Sequence, residues 1–302
     1  MLTIGSRGSQ LALWQAHWIQ GRLEQLGEKS RIEIIKTTGD KITDVALSRV
    51  GSKGLFTKEI EEALLAGEID IAVHSLKDVP TDLVPGLTIA AVPEREDPRD
   101  ALVGIALEDL KKGARVGTGS LRRAAQLRAR RPDLLIEDIR GNLDTRLRKL
   151  DEGRYDAIVL ASAGLRRLGW EHRITELLNP SIMCPAVGQG ALAVETRDDS
   201  GAPFQIARRL EHAESRARVT AERAVLAALG GGCQAPIGSH AYVDGENLII
   251  IGVIVSADGT QRVRQAKHGP LEDPVSLGQS LAELLLEGGG KEILDAVYGA
   301  QA

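Results

Sequence analysis

The sequence predicts an α/β protein of several domains that closes with a smaller α+β block. Short apolar strands alternate with amphipathic helices over the first two thirds of the chain. That rhythm implies right-handed crossovers and mainly parallel sheets. Beyond about residue 213 the pattern changes to a helix, a hairpin and further helices. A chain of 302 residues also exceeds what one core ordinarily serves, so two or three domains are expected.

Residues 2–4 form a short apolar strand leading into a helix. There Leu11, Trp14, Trp18 and Arg22 recur three to four apart and put both tryptophans on one face. Residues 32–35 read as the next strand, and 57–66 as a helix with Thr57 as N-cap. Strand 69–73 ends in His-Ser-Leu-Lys-Asp, and 87–92 is another strand. A second block begins near Asp100, with strands at 101–103 and 115–116. Gly-Thr-Gly-Ser (117–120) follows, then a helix over 121–130 stopped by Pro132. Residues 134–139 form a strand, Asn142 caps a helix through Leu150, 155–160 is a buried strand, and a helix lies near Leu165. The final block opens with a helix over 219–229 closed by Gly230, Gly231 and Gly232. Strands around Tyr242 and over 248–255 flank Asp-Gly-Glu-Asn, a hairpin signal. Asp258-Gly259 marks another turn, and helices follow over 277–286 and near Ile293. Residues 93–98 and 185–190 read as hinges between the first two blocks.

Composition narrows the function. Aromatic residues are only 3% of the chain, which argues against serial base stacking. A net charge of −4 excludes a uniformly basic protein but leaves room for a local basic patch. Two cysteines, Cys184 and Cys233, are no disulfide framework. The six histidines are scattered, with no metal-ligand spacing, so no metal is expected. No secretion signal or membrane-spanning run is read, and a cytoplasmic location is expected.

The most informative feature is arginine density between Arg115 and Arg173. Arg122 and Arg123 follow Gly-Thr-Gly-Ser at a strand-to-helix junction, where free N–H groups and the helix dipole already favour an anion. Arg140 sits at a second strand end, with Arg146 one turn into the next helix. Carboxyl ends of strands form the ligand crevice of an open α/β sheet. Convergent arginines there suit a ligand rich in carboxylates or phosphates, and the alternative is a solvated helix face.

The first block offers a similar site. Ser6-Arg7-Gly8-Ser9 follows the first strand, and Lys53-Gly54 precedes another helix without P-loop spacing. Lys77 and Asp78 follow the strand at 69–73. A lone acid among cations is either a salt bridge to Lys77 or a neighbour, or a carboxylate placed to stabilise a transient cation or move a proton. Cys233, in Gly-Gly-Gly-Cys-Gln-Ala-Pro, reads either as a small buried hydrophobe or as an exposed or modified thiol. The three glycines make a flexible, uncrowded approach to it. Cys184 reads as a quietly packed residue.

Eight segments together resemble the porphobilinogen deaminase family. They are GSRGSQLALWQA (5–16), GSKGLFTKEIE (51–61), DIAVHSLKDVPT (70–81), PEREDPRDA (93–101), VGTGSLRRAAQL (116–127), IRGNLDTRL (139–147), PAVGQGALAVE (185–195) and ERAVLAALGGGCQAPIG (222–238). The resemblance implies a transferase that adds four porphobilinogen units head to tail, with loss of ammonia, then releases hydroxymethylbilane by hydrolysis, as in haem and other porphyrin biosynthesis. It implies a dipyrromethane cofactor held by a thioether to Cys233. The implied fold has two periplasmic-binding-protein-like α/β domains around a central cleft, plus a small C-terminal α+β domain. These would be 1-93 plus 191-212, 99-185, and 213-302. The family also implies a monomer with a small-molecule substrate, and neither nucleic acid nor membrane as partner.

Matching motif positions imply Asp78 as the catalytic residue. They imply Ser9, Lys77, Thr118, Ser120, Arg122, Arg123, Arg140 and Arg146 as cofactor or substrate contacts. Arg7, Lys53, Arg95, Arg167 and Gln189 extend that set, Asp40 lies near the cleft, and residues 42–54 correspond to a mobile loop. The implied chemistry accounts for the composition. Each pyrrole carries an acetate and a propionate, so a growing chain accumulates carboxylates that need fixed cations. Deamination leaves an electron-poor azafulvene, which Asp78 is suited to stabilise. No residue is assigned to the final hydrolysis. Arg49, Gly119, Gly230 and Ala235 depart from the expected pattern, the last two in ways that loosen the cysteine loop. Two other functions compete with this one. A solute-binding protein predicts a secretion signal, and a nucleic-acid binder predicts a mostly basic surface.

Overall fold

The computed structural model describes residues 1–41, 56–231 and 235–299. Lys53, Cys233, Arg49 and the rest of the 42–54 loop lie outside the described residues, as does the side chain of Asp40. The chain begins β1 (Leu2–Ser6), α1 (Gln10–Gln25), β2 (Ser30–Ile34), α2 (Thr38–Lys41), α3 (Lys58–Leu65), β3 (Ile71–Ser75) and β4 (Leu87–Ala91). It continues with β5 (Asp100–Gly104), β6 (Arg115–Gly117), α4 (Leu121–Arg130), β7 (Leu135–Glu137), α5 (Leu143–Asp151), β8 (Ala157–Ala161), α6 (Ser162–Arg167) and β9 (Glu176–Leu177). It closes with β10 (Leu192–Arg197), α7 (Ala202–Arg208), α8 (Ala213–Ala228), β11 (Ile237–Asp244), β12 (Asn247–Val255), β13 (Arg262–Pro270), α9 (Pro274–Leu285) and α10 (Lys291–Gly299). Two compact units result, Met1–Glu96 with Gly190–Arg216, and Asp97–Gln189 with Ala217–Ala302.

The first unit holds a five-stranded sheet in the order β2-β1-β3-β10-β4. The first three strands are parallel, and β10 runs antiparallel between β3 and β4. One apolar cluster joins this sheet to α1 and α7 through Ile4, Ile19, Leu23, Ile71, Val73, Val194 and Ala207. A second joins it to α3 through Ile60, Leu64, Ile69, Ala72 and Leu87. The second unit repeats the scheme in the order β7-β6-β8-β5-β9, with β7, β6 and β8 parallel and β5 antiparallel to both its neighbours. It also carries the antiparallel sheet β11-β12-β13, packed with α8, α9 and α10 around Val225, Leu248, Ile250, Leu281 and Leu285.

The α/β class with a C-terminal α+β block is as the sequence predicts, but the sheets are mixed rather than mainly parallel. Strands β5 and β10 each directly follow a crossing between units. The chain enters at the edge where the parallel strands end: Leu192 pairs with Ser75, and Asp100 with Ala161. A strand that begins at that edge must run the opposite way. Strands β9, β10 and β13 and the first turns of α8 escaped the sequence reading. In α1 the core side is Gln15, Ala16, Ile19 and Leu23, while both tryptophans are only half-buried.

The glycines before Cys233 also have a firmer reason than flexibility. Gly230 takes φ +62, and the N–H groups of Gly230 and Gly231 bond back to the carbonyls of Ala227 and Leu226. This is a paired helix termination that needs the left-handed region. A Cβ on Gly231 would lie 2.7 Å from both Ile237 Cδ1 and Leu226 Cδ1, so the approach is crowded. Gly230 therefore terminates α8 firmly instead of loosening its end.

Candidate functional site

Each five-stranded sheet presents candidate site residues at the edge where its parallel strands end. In the first unit, β1 runs out into Arg7, Gly8 and Ser9. Ser9 caps α1, its hydroxyl accepting from the Ala12 N–H at 3.3 Å. The Arg7 guanidinium stacks 4.3 Å from the Phe56 ring centroid. Next to β1, β3 ends in a single 3₁₀ turn, Leu76–Asp78. Leu76 is buried and its N–H bonds to the Ala191 carbonyl at 3.0 Å, which fixes the turn on β10. Gln15, buried on α1, donates to the Ser75 hydroxyl at 2.9 Å. The turn thus presents Lys77 half-buried and Asp78 exposed, and Asp78 has no ion pair among the described residues. The salt-bridge reading of this acid finds no partner there.

In the second unit, the carboxyl ends of β7, β6 and β8 lie side by side. β6 leads through Thr118 and Ser120 into α4. Ser120 caps that helix, and its own N–H donates to the Thr118 hydroxyl at 3.2 Å. β7 leads to Arg140, which binds Asp138 at 2.7 Å, then to Gly141 at φ +109 and α5. A Cβ at Gly141 would fall 2.6 Å from Thr145 Cγ2, so only glycine suits this entry. Arg146 on α5 donates from Nε to the Gly141 carbonyl at 2.8 Å. β8 leads to α6, which ends in Arg167.

At the centre of this edge stands a residue the sequence reading did not single out. Asp100 opens β5 and is fully buried. Its carboxylate accepts from Arg122 Nη1 at 2.8 Å, Arg123 Nε at 2.9 Å and Gln189 Nε2 at 2.9 Å. Burial alone would raise this carboxyl, but the two guanidiniums hold it down to about 2. The available signal was an acid opening the apolar run Asp-Ala-Leu-Val amid arginines, because a buried carboxylate needs a cation. Arg122 and Arg123 accordingly turn inward, only 4% and 6% exposed. Arg122 also reaches the Cys184 carbonyl, and Arg123 the Val159 carbonyl at 3.2 Å and the Gln189 amide oxygen at 3.3 Å.

The cationic excess falls on Arg146. Burial, then the charges of Arg123 and Arg140, push its guanidinium down to about 10. Arginine does not give up its proton under ordinary conditions. The part of the depression that comes from Arg123 and Arg140 marks a positive field that an anion would relieve. A pyrrole chain bearing carboxylates fits this donor set. Burial raises the Cys184 thiol to about 12, which makes it an inert packing residue as the sequence suggested. At Gly119 a Cβ would sit 3.0 Å from the Ile139 carbonyl, so glycine fits the local space. Among the described residues there is no metal-binding cluster, and no helix is long and apolar enough to cross a membrane.

Fold and edges together define an α/β protein with an arginine-lined anion site on one sheet and an exposed carboxylate on another. A family model described as porphobilinogen deaminase, dipyromethane cofactor binding domain, matches residues 2–203, and one for the C-terminal domain of the same family matches 216–287. The chain belongs to the porphobilinogen deaminase family. It is 52% identical over 301 residues to the porphobilinogen deaminase of Trichlorobacter lovleyi, covering 98% of this chain and 96% of that one. It is 53% identical over 298 residues to that of Roseiflexus castenholzii, covering 97% and 98%. Among solved structures, a periplasmic substrate-binding protein of an ABC transporter from Coxiella burnetii reaches a TM-score of 0.44 at 14% identity, over 74% of this chain and 95% of that chain.

Proposed function

We propose that this chain is a transferase that polymerises porphobilinogen into hydroxymethylbilane on a dipyrromethane primer attached to Cys233. The observation that carries the reading is the arginine edge of the second unit, where Arg123, Arg140 and Arg146 act on one another at the carboxyl ends of parallel strands, within a chain of this family. When bound, the dipyrromethane supplies the free pyrrole α-position to which the first substrate is joined. Arg140 and Arg146 bind substrate and primer carboxylates, with Thr118 and Ser120 as hydroxyl donors beside them. Asp100 keeps Arg122 and Arg123 charged and fixed, and Gln189 braces Arg123, so these three shape the edge from within. Ser9, Arg7, Lys77 and Lys53 hold carboxylates in the same way, and Arg167 and Arg95 extend the set.

Asp78 does the chemistry. As ammonia leaves porphobilinogen, a cation develops on the pyrrole. The exposed Asp78 carboxylate stabilises that charge and accepts the pyrrole proton that is lost when the rings join. Its lack of an ion-pair partner among the described residues supports this role, because a paired carboxylate would have to give up its cation first. We further read the functional domains as 1-93 with 191-212, 99-185 and 213-302, and the protein as a cytoplasmic monomer. The two family models, which end at 203 and begin at 216, support the last division.

The test is the denatured intact mass of the purified protein beside Cys233→Ser. The expected result is a mass above the sequence value by two linked pyrroles, absent from the variant. A wild-type protein that carries no such mass, and gains none on incubation with porphobilinogen or hydroxymethylbilane, overturns the proposal.

A further inference from the structure

The layer between α3 and the first sheet is mostly apolar but holds one buried charged pair. His74 on β3 and Glu195 on β10 are both buried, and the His74 Nε2 donates to Glu195 Oε2 at 3.1 Å. The strand register explains the meeting. Glu195 pairs with Ala72 and His74 with Ala193, so the two side chains are diagonal neighbours on the face that carries Ala72. Ala72 packs there with Ile60, Ala63 and Leu64 of α3. The second Glu195 oxygen, Oε1, has no partner among the described residues. Glu61 of α3, also buried, is raised by burial and by the Glu195 charge, and lowered by that of His74. The titratable groups around this point are therefore Glu61 and Glu62 on α3, His74 on β3 and Glu195 on β10, with Arg197 next along the same face of β10, where it donates to the Leu64 carbonyl at 2.7 Å and pairs with Asp70. β1 and β4, which also pack against α3, contribute no titratable side chain.

Such a group is a poor way to gain stability. A buried polar pair often contributes no more than well-packed apolar side chains of similar volume. Its position suggests another use. His74 stands on β3 four residues before Asp78, which lies in the 3₁₀ turn that ends the strand, and only Ser75, Leu76 and Lys77 intervene. On the backbone, shear of β3 along β10 is opposed by the ladder pairs and by the bond from the Leu76 N–H to the Ala191 carbonyl. A side-chain bond between diagonal positions also opposes that shear. We propose that His74 and Glu195 form a buried clamp, flanked by Glu61, that sets where β3 leaves the sheet and thereby positions Asp78 for proton transfer. Both are positioning residues and neither touches substrate. The inference rests on the proposed role of Asp78.

The experiment compares wild type, the apolar double variant His74→Phe/Glu195→Leu, Glu195→Gln and Asp78→Asn, each as holoprotein. The double variant removes the buried polar pair without leaving either member orphaned. Its melting temperature and pyrrole mass are expected to match or exceed those of wild type, with KM for porphobilinogen little changed. Its kcat is expected to fall about 10- to 100-fold, the usual cost of a small misplacement of a reacting group. Glu195→Gln keeps shape and bond and is expected to retain most of the rate. A double variant that is folded, loaded and within about twofold of wild-type kcat overturns the clamp. If the double variant does not fold, a Glu195→Gln protein that loses both stability and rate in parallel overturns it as well, since that is ordinary structural damage. Should Asp78→Asn turn over normally, the reading of Asp78 falls first. Loss of turnover in Asp78→Asn beside a normal double variant rejects the clamp alone.

Discussion

Replacing Asp100 by asparagine tests the centre of the arginine edge. The substitution keeps the shape and removes one negative charge from a site with no solvent exposure. Holding the carboxyl at about 2 rather than its ordinary 3.8 corresponds to about 2–3 kcal/mol of native-state stability near neutral pH. Two buried guanidiniums are then left facing an amide, and breaking a buried ion pair on one side costs about 3–5 kcal/mol. The expected loss at pH 7 is therefore about 2–5 kcal/mol, or a fall in Tm of about 5–15 °C for a chain of this size. Because the folded value is depressed, the stabilisation is complete above the unfolded value and disappears as pH falls from about 4 towards 2. The variant has no such ionisation, so the gap between the two proteins should narrow over that window. Thermal unfolding of both apoproteins by circular dichroism, at pH 7, 5, 4 and 3, measures this directly. A gap at pH 7 below about 1 kcal/mol, or one that stays constant down to pH 3, would refute the reasoning.

The other expectations concern function more directly. Asp78→Asn should keep the fold and the pyrrole mass while turnover falls by several orders of magnitude, as removal of a general base and cation stabiliser implies. Near-normal kcat would remove Asp78 from the mechanism. Arg140→Leu should lower the holo fraction read by mass spectrometry or slow the first addition, and an unchanged holo fraction with normal rate would remove it from the site. Arg146→Leu relieves a guanidinium crowded by Arg123 and Arg140, so the apoprotein should melt no lower than wild type while pyrrole loading falls. A large loss of apoprotein stability would show that Arg146 is structural instead.

Much of the fold was legible in the sequence because its signals are local. Helix α4 spans the ten residues read from the pattern, from the cap at Ser120 to the stop before Pro132. The two-residue turn at Gly245-Glu246, with Asp244 opposite Asn247, is where Asp-Gly-Glu-Asn placed it. The strands that escaped had no local signal. β13 scatters Arg262, Arg264 and Lys267 among modest apolar residues without a regular alternation, and none of its residues is buried. β10 was read only as part of a motif, because its antiparallel place between β3 and β4 depends on where the chain re-enters the first unit. Of the site, the sequence located the turn of Asp78 and the arginine edge, since both lie at strand ends. It left out Asp100, and it gave no hint that Arg122 and Arg123 turn inward.

Sequence by itself determined the family, the alternation of strands and helices, and which charged residues stand at strand ends. Those properties follow from spacing, capping and motif order, which are properties of the chain taken in one dimension. Tertiary structure alone decided the mixed sheets, the burial of Asp100 between two guanidiniums, the crowding of Arg146 and the bond between His74 and Glu195. Each of these brings together residues distant along the chain, such as Asp100 and Gln189 or His74 and Glu195. Their energies depend on burial and on the separation of charges, and those quantities exist only after the chain has folded.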